Sequence, residues 1–349
     1  MGRTKKIKLE TIAKETGISV SAVSLAISGK KGVGEKTRKL VLEKARELGY
    51  EENQPRDTGK DREKAAMAQV FIAQRYLQES PAFYMEVYRC IADEAMKRGV
   101  LLTLRIVTED EENEAIVPQM PESPQDACMV IGEMKRPYLD ALKAALLDTP
   151  LIFVDYYDVD DDVDCVVTDG FRGMEEMTRL LLDQGLSDLV FVGNVHGTKN
   201  ICDRYLGCCK ALIRVGKDPA ALRVIPDRTE RGILMTPTLP DPLPQAFLCN
   251  CDTTAYKVME LLEKRGIRVG SEISVAGFDN FPPHPDGIRL ATYKNDPQVI
   301  ARIAVQTMMN RLDGAKPQGV RFVEGTLIHG ESVRYRRRTN GKREATGHR

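Results

Sequence analysis

From Ala68 onward the chain alternates short apolar runs with stretches of helical period, and no other feature limits its possible folds so strongly. Runs at 69–73, 100–107, 127–131, 151–154, 189–192, 246–248 and 273–276 have the length of strands. Helical stretches lie between them, near 83–98, 137–147, 170–184, 201–215, 252–265 and 297–312. Such alternation builds a parallel sheet with helices on both faces, because each strand must cross over through a helix to reach its neighbour. The stretch is too long for one such sheet, so an α/β core of two doubly wound parallel-sheet lobes is expected. A ligand would then sit beyond the carboxyl ends of the strands, in a cleft between the lobes.

Residues 1–50 follow a different rule. They read as three short helices with no strand, and they hold twelve Lys and Arg against five acids, a charge of +7 in a chain whose 51 basic and 51 acidic residues cancel overall. An asymmetry of this kind points to a partner with a negative surface. Leu9, Ile12 and Ala13 line one helix face, Gly17 stops that helix, and Ser19 is placed to cap the next, over 20–28, which buries Val23 and Ile27. Helix, glycine turn and helix make a helix-turn-helix unit. Its second helix offers Ser21, Ser24, Leu25 and Ser28, small enough to enter a major groove, while Val41, Leu42, Ala45 and Leu48 of a third helix close a small core.

No apolar run approaches the ~20 residues of a membrane helix, and the amino terminus leads into no signal-like apolar region. The eight cysteines lie mostly in apolar runs, as reduced buried thiols do. A soluble, cytoplasmic protein is expected. Asp158 to Asp164 is spaced somewhat like a calcium loop, yet Val163 stands where that loop needs glycine. Gly29 to Thr37 imitates a phosphate loop, but Glu35 separates glycine from lysine and a helix precedes it. The cysteine spacings do not suit zinc, and His196, His284, His329 and His348 stand beside no nucleophile motif. No cofactor, metal or catalytic residue is therefore expected, and the chain is not read as an enzyme.

The stretch 9–50 resembles the DNA-binding head of the lac repressor (LacI) family. The matching pieces are Thr11-Ile12-Ala13, Gly17-Ile18-Ser19-Val20-Ser21, Val23-Ser24, Gly32-Val33, Thr37-Arg38 and Leu48-Gly49-Tyr50. The resemblance implies a periplasmic-binding-protein-like core, which agrees with the two lobes. It also implies DNA contacts from Thr11, Ser19, Val20, Ser21, Ser24, Leu25, Ser28 and Thr37. Two positions depart from the family. Leu25 replaces the arginine that usually follows Val-Ser and reads a guanine edge, so it offers an apolar contact, such as to a thymine methyl. The leucine wedge of the family's hinge helix would fall near Gly59, with Pro55 just before it, which implies a weaker hinge helix and no wedge.

In the core the resemblance runs through Ile152-Phe153-Val154-Asp155, Val167-Thr168-Asp169-Gly170, Asp203-Arg204-Tyr205-Leu206-Gly207, Cys249-Asn250-Cys251-Asp252 and Val275-Ala276-Gly277-Phe278-Asp279-Asn280. It implies ligand contacts from Asp155, Arg204, Asn250, Asp252, Phe278 and Asp279. A guanidinium forks two donors to adjacent oxygens, and a carboxylate accepts two hydroxyl protons. Phe83 and Tyr84, after the first strand, offer either an aromatic face for a sugar ring or simple core packing. The acids and prolines of 109–124 and the prolines of 236–244 leave room for little helix.

The expected domains are a helix-turn-helix head at 1–50, a linker or hinge at 51–66, a two-lobed ligand-binding and dimerisation domain at 67–335, and a disordered basic tail at 336–349. Lobe 1 is expected at about 67–160 and 295–322, and lobe 2 at about 161–294 and 323–335. The expected function is a ligand-responsive transcription regulator, a repressor of carbohydrate-metabolism genes. It would bind a near-palindromic double-stranded operator as a homodimer and be switched by a sugar or sugar phosphate. The alternative is a solute-binding protein of the same core fold without sequence-specific DNA binding, against which the +7 head argues.

Overall fold

In the computed structural model the described residues are 9–27, 33–47, 65–79, 81–117, 125–158, 160, 162–229, 232–281 and 287–335. The linker 51–64, the tail 336–349, Ser28 and the prolines of 118–124 lie outside them, as do the expectations that rest on them. The chain divides into two compact units, Met1–Glu63 and Lys64–Arg349.

The first unit contains α1 (Leu9–Thr16), α2 (Val20–Ile27) and α3 (Glu35–Glu47). Ile12, Ala13, Val23, Ala26, Val41 and Ala45 form its core, with Ile18 and Val33 packed against them. Gly17 turns α1 into α2 with φ of +67°, a conformation that glycine alone adopts without strain. The chain closes there as the Ile18 amide donates to the Ala13 carbonyl at 3.2 Å. Leu42 departs from expectation: it is exposed on α3, because Val41 and Ala45 already fill the space against α2.

Among its described residues the second unit holds three sheets. The first lobe is built from β1 (Ala66–Ala73), β2 (Val100–Val107), β3 (Ala127–Ile131), β4 (Leu151–Val154), β5 (Asp164–Thr168) and β11 (Val320–Val323), in the order β11-β5-β4-β3-β1-β2. Every neighbouring pair in it is parallel. Helices α5 (Pro81–Lys97), α7 (Arg136–Leu146) and α11 (Pro297–Leu312) cover it, and their buried residues share one core with the strands. The second lobe is the parallel sheet β7-β6-β8-β9, from β6 (Leu189–Val192), β7 (Arg223–Ile225), β8 (Ala246–Cys249) and β9 (Ser274–Ala276). There α8 (Gly170–Asp183), α9 (Lys199–Arg214) and α10 (Asp252–Lys264) supply the helical layers. Short helices α4 (Gln74–Glu79) and α6 (Glu109–Asn113) complete the first lobe. An antiparallel ribbon pairs β10 (Thr292–Lys294) with β12 (Thr326–Ile328).

The chain enters the second lobe later than expected. β5 pairs with β4 and β11 in the first sheet, so the first crossing follows Thr168 rather than residue 160. The five residues of β5 are all buried, and they pair on both edges before Asp169 caps α8. At this crossing the Asp169 amide donates to the Val323 carbonyl at 2.9 Å, tying two connecting strands side by side. Among the described residues no helix is long and apolar enough to cross a membrane.

Candidate functional site

In the head, the hydroxyl of Ser19 accepts the Ala22 amide at 3.3 Å and lies 3.3 Å from the Ser21 hydroxyl. Ser19 thus caps α2 and satisfies one of the amides that a helix start leaves unpaired. Thr11, Ser19, Val20, Ser21 and Ser24 are exposed, whereas Leu25 and Thr37 are half-buried. Val20 and Leu40 keep 42% and 48% of their surface exposed, unusual for side chains so apolar. Lys14 of α1 and Lys36 and Lys39 of α3 are exposed as well. Exposed small side chains on a capped helix, in a unit that also exposes lysines, suit a groove lined with phosphates.

The core carries a cavity of about 210 Å³ between its lobes. Strand ends from both sheets reach it. Asp155 follows β4, Glu133 follows β3, and Asp279 follows β9, all just past the carboxyl ends where parallel strands present loops to a ligand. Arg204 projects from α9. Its NH1 donates to the Asn250 carbonyl at 2.7 Å, its NH2 donates to Asp279 Oδ1 at 3.3 Å, and its guanidinium lies 4.0 Å above the Phe278 ring. Arg228 forks onto Asp227, from Nε to Oδ1 at 3.1 Å and from NH2 to Oδ2 at 2.9 Å. Asp227 also accepts from the Asn250 amide and the Thr254 hydroxyl. Although burial opposes it, Arg228 holds the Asp227 carboxyl below its ordinary range.

Asp155 and Asp279 keep positive φ of 58° and 100°. Backbone held in this region is usually kept for a purpose at a site, since an L residue adopts it at some expense. Asn200 donates to both the Asp155 carbonyl at 2.8 Å and Oδ1 at 3.0 Å, and the Tyr84 hydroxyl points at Oδ2 from 3.4 Å. Burial pushes the Asp155 carboxyl up to about 7, with Asp279 adding to the rise and Arg204 opposing it. Burial raises Asp279 and Glu133 as well, against the pull of Arg204 on the first and the Lys199 amide on the second. The aromatic wall comes from the first lobe. Tyr76 and Tyr84 stack with centroids 4.4 Å apart, and Phe83 stands edge-on to Tyr84 at 5.2 Å and to Phe281 at 6.0 Å.

Six of the eight expected ligand residues line this cavity: Phe83, Tyr84, Asp155, Arg204, Asn250 and Asp279. Phe83 and Tyr84 also pack against the first lobe's core, so they serve both purposes. Asp252 and Phe278 do not line it. Phe278 is fully buried between Arg204 and Tyr293, to which it stacks at 5.3 Å. Asp252 is buried too, accepting the Thr292 hydroxyl at 2.7 Å and the Phe281 amide at 2.9 Å. Both hold the loop that carries Asp279 instead of facing a ligand. Sequence reasoning missed Tyr76, Glu133, Asn200, Arg228 and Phe281. The strand-end rule would have found Tyr76 and Glu133; nothing local marks Arg228, whose role depends on Asp227 being buried.

Residues 8–53 match the family described as bacterial regulatory proteins, lacI family, and residues 178–333 match a periplasmic binding protein-like domain. The HTH-type transcriptional repressor PurR of Pasteurella multocida is 24% identical over 78% of this chain and 81% of its own length. Among solved structures, the lac repressor dimer bound to operator and the anti-inducer ONPF has a TM-score of 0.62 at 19% identity, covering 95% of this chain and all of that one. The transcriptional regulator CelR in complex with cellobiose has a TM-score of 0.61 at 17% identity, covering 94% of this chain and all of that one. With a head that matches the lacI family's DNA-binding unit, followed by a two-lobed core that matches a periplasmic binding protein-like domain, this chain is similar in both parts to the lacI family of bacterial regulatory proteins.

Proposed function

We propose that the protein is a ligand-switched repressor that binds a near-palindromic operator as a homodimer and takes a sugar-like effector between the lobes of its core. One observation carries the switching part: the cavity wall is shared, and the lobes meet at it through directional bonds. The first residues of α9, in the second lobe, bond to groups of the first, donating to two of its carboxylates and accepting from a phenol. The Lys199 amide donates to Glu133 at 2.9 Å, Asn200 donates to Asp155, and Tyr157 donates to Asp203 at 2.8 Å. A ligand that inserts among Glu133, Asp155 and Arg204 must bear on both lobes, so its binding energy becomes a preference for one lobe geometry. Coupling of that geometry to the heads would make ligand and operator affinities reciprocal. PurR is named a repressor and CelR is solved with cellobiose, which supports a repressor with a sugar-like effector.

In the head, α2 enters the major groove and Ser19, Ser21, Ser24 and Leu25 meet base edges or the sugar-phosphate backbone, with Thr11 and Thr37 at the phosphates. A homodimer sets two such helices about one turn of DNA apart. The test is selection of bound sequences from a random duplex pool by the full chain at physiological salt, in parallel with pools of sugars and sugar phosphates. An enriched near-palindrome whose retention depends on one pool supports the reading. Loss of sequence preference in a Ser21→Ala, Leu25→Ala double variant with an unchanged core melt assigns the reading helix. No enrichment in any pool would overturn the operator-binding part.

A further inference from the structure

The charges that face the cavity are not balanced. Each guanidinium there already has its own carboxylate, Asp227 for Arg228 and Asp279 for Arg204. Across from them stand Asp155 and Glu133, neither of which forms an ion pair with any described residue. Their hydrogen bonds come from an amide side chain, a phenol and a backbone N–H. The rings of Tyr76, Tyr84 and Phe83 border the same wall.

A phosphorylated ligand entering this space would meet two carboxylates outside any ion pair among the described residues, while each guanidinium already carries a carboxylate of its own. A neutral polyol would leave the negative charge as it is. An ammonium group is what this wall lacks, because a carboxylate neutralises it and aromatic faces attract it through their quadrupole after water has left. We propose that the effector carries a protonated amine, as an amino sugar or a similar small amine-bearing polyol does, and that this amine is held by Asp155 beside Tyr84, with Glu133 adding its charge. The inference rests on the ligand-switched reading above. Burial raises the Asp155 carboxyl even against Arg204, and a cationic group beside it would offset that cost.

The test compares matched trios on the full chain by calorimetry: glucosamine, galactosamine and mannosamine, each against its parent hexose and that hexose's 6-phosphate. The expected result is that at least one amine binds about tenfold or more tightly than both its partners. Asp155→Asn should erase that preference, and asparagine accepts the positive φ at this position, so the variant should fold. Glu133→Gln, which should weaken the same amine by a smaller factor, gives a second measurement if the first variant does not fold. Parent hexoses or phosphates binding as tightly as the amines would overturn the amine assignment while leaving the ligand-switched reading intact. If no compound in the panel binds and none alters operator retention, the amine assignment and the sugar-like effector fall together.

Discussion

Arg204 joins three kinds of partner, a carbonyl, a carboxylate and an aromatic face, and each contributes something different. The Asn250 carbonyl and the Phe278 ring fix the plane of the guanidinium, while Asp279 balances its charge. Arg204→Ala leaves the Asp279 carboxylate and the Asn250 carbonyl without this donor; the core should lose about 3 kcal/mol, read as a lower denaturant midpoint. Arg204→Lys should recover part of that stability yet still weaken the effector about tenfold, because an ammonium cannot hold the Asn250 carbonyl and the Asp279 carboxylate in place together. A lysine variant with normal effector affinity would remove the guanidinium from the site. Asp155 makes a prediction in pH. Its folded value of about 7 lies above the ~3.9 of an unfolded aspartate, so the folded chain holds a proton there that the unfolded chain releases. The stability from this residue is therefore present below about pH 4 and lost as pH rises through 7. Asn does not titrate, so the melting temperature of Asp155→Asn relative to the parent should be higher at pH 8 than at pH 5. An equal difference at both values would rule the shift out. Asp155 and Asp279 were singled out in the sequence through the family resemblance of the segments that carry them, each of which ends an apolar strand. Arg228 was not, since Asp227 and Arg228 look like any charged pair in a loop until the fold buries them.

Among the elements, those with long apolar periods stand where the pattern puts them. α3, α5, α8, α9, α10 and α11 each bury a stripe wide enough to show in sequence. The strands that went unnoticed have two causes. β7, β10 and β12 are three residues long and partly exposed, so they lack the continuous apolar run that marks the equally short but fully buried β9. β5 and β11 carry an acid and an arginine inside four or five residues, which hides a pairing that only the neighbouring strand reveals. Helix packing yields two tests. Ser19→Ala removes the cap of α2 and should lower the stability of the head by about 1 kcal/mol, with the melting of the core unchanged. A cap variant as stable as the parent would show that the Ser19 bond is not held in solution. Gly207 lies where α9 crosses α8, and a Cβ there would come 2.1 Å from the Phe171 carbonyl oxygen. Gly207→Ala should therefore part the two helices and destabilise the core by about 1–3 kcal/mol. A core that melts as before would mean the crossing relaxes freely.

At the scale of the whole molecule, bonds join the start of α9 to carboxylates of the first lobe, and under the proposed function these bonds would respond to occupancy. Asn200→Ala removes both bonds to Asp155 and should speed amide exchange in the first turn of α9 in the absence of effector, and bound effector should slow it again. Unchanged exchange would mean that Lys199 and Tyr157 hold the lobes without it. The sequence by itself determined the head and the class of the core, because a glycine turn with its cap, a block of positive charge and the alternation of apolar runs are local properties of the chain. It also indicated the carboxylates at two strand ends. Only the tertiary structure decided that β5 belongs to the first lobe, that Phe278 and Asp252 support the site from behind, and that Arg228 and Arg204 each have their own acid. The reason is physical: burial and pairing depend on residues far apart in the chain, here 46 positions between Arg204 and Asn250 and 75 between Arg204 and Asp279, and no local window contains them.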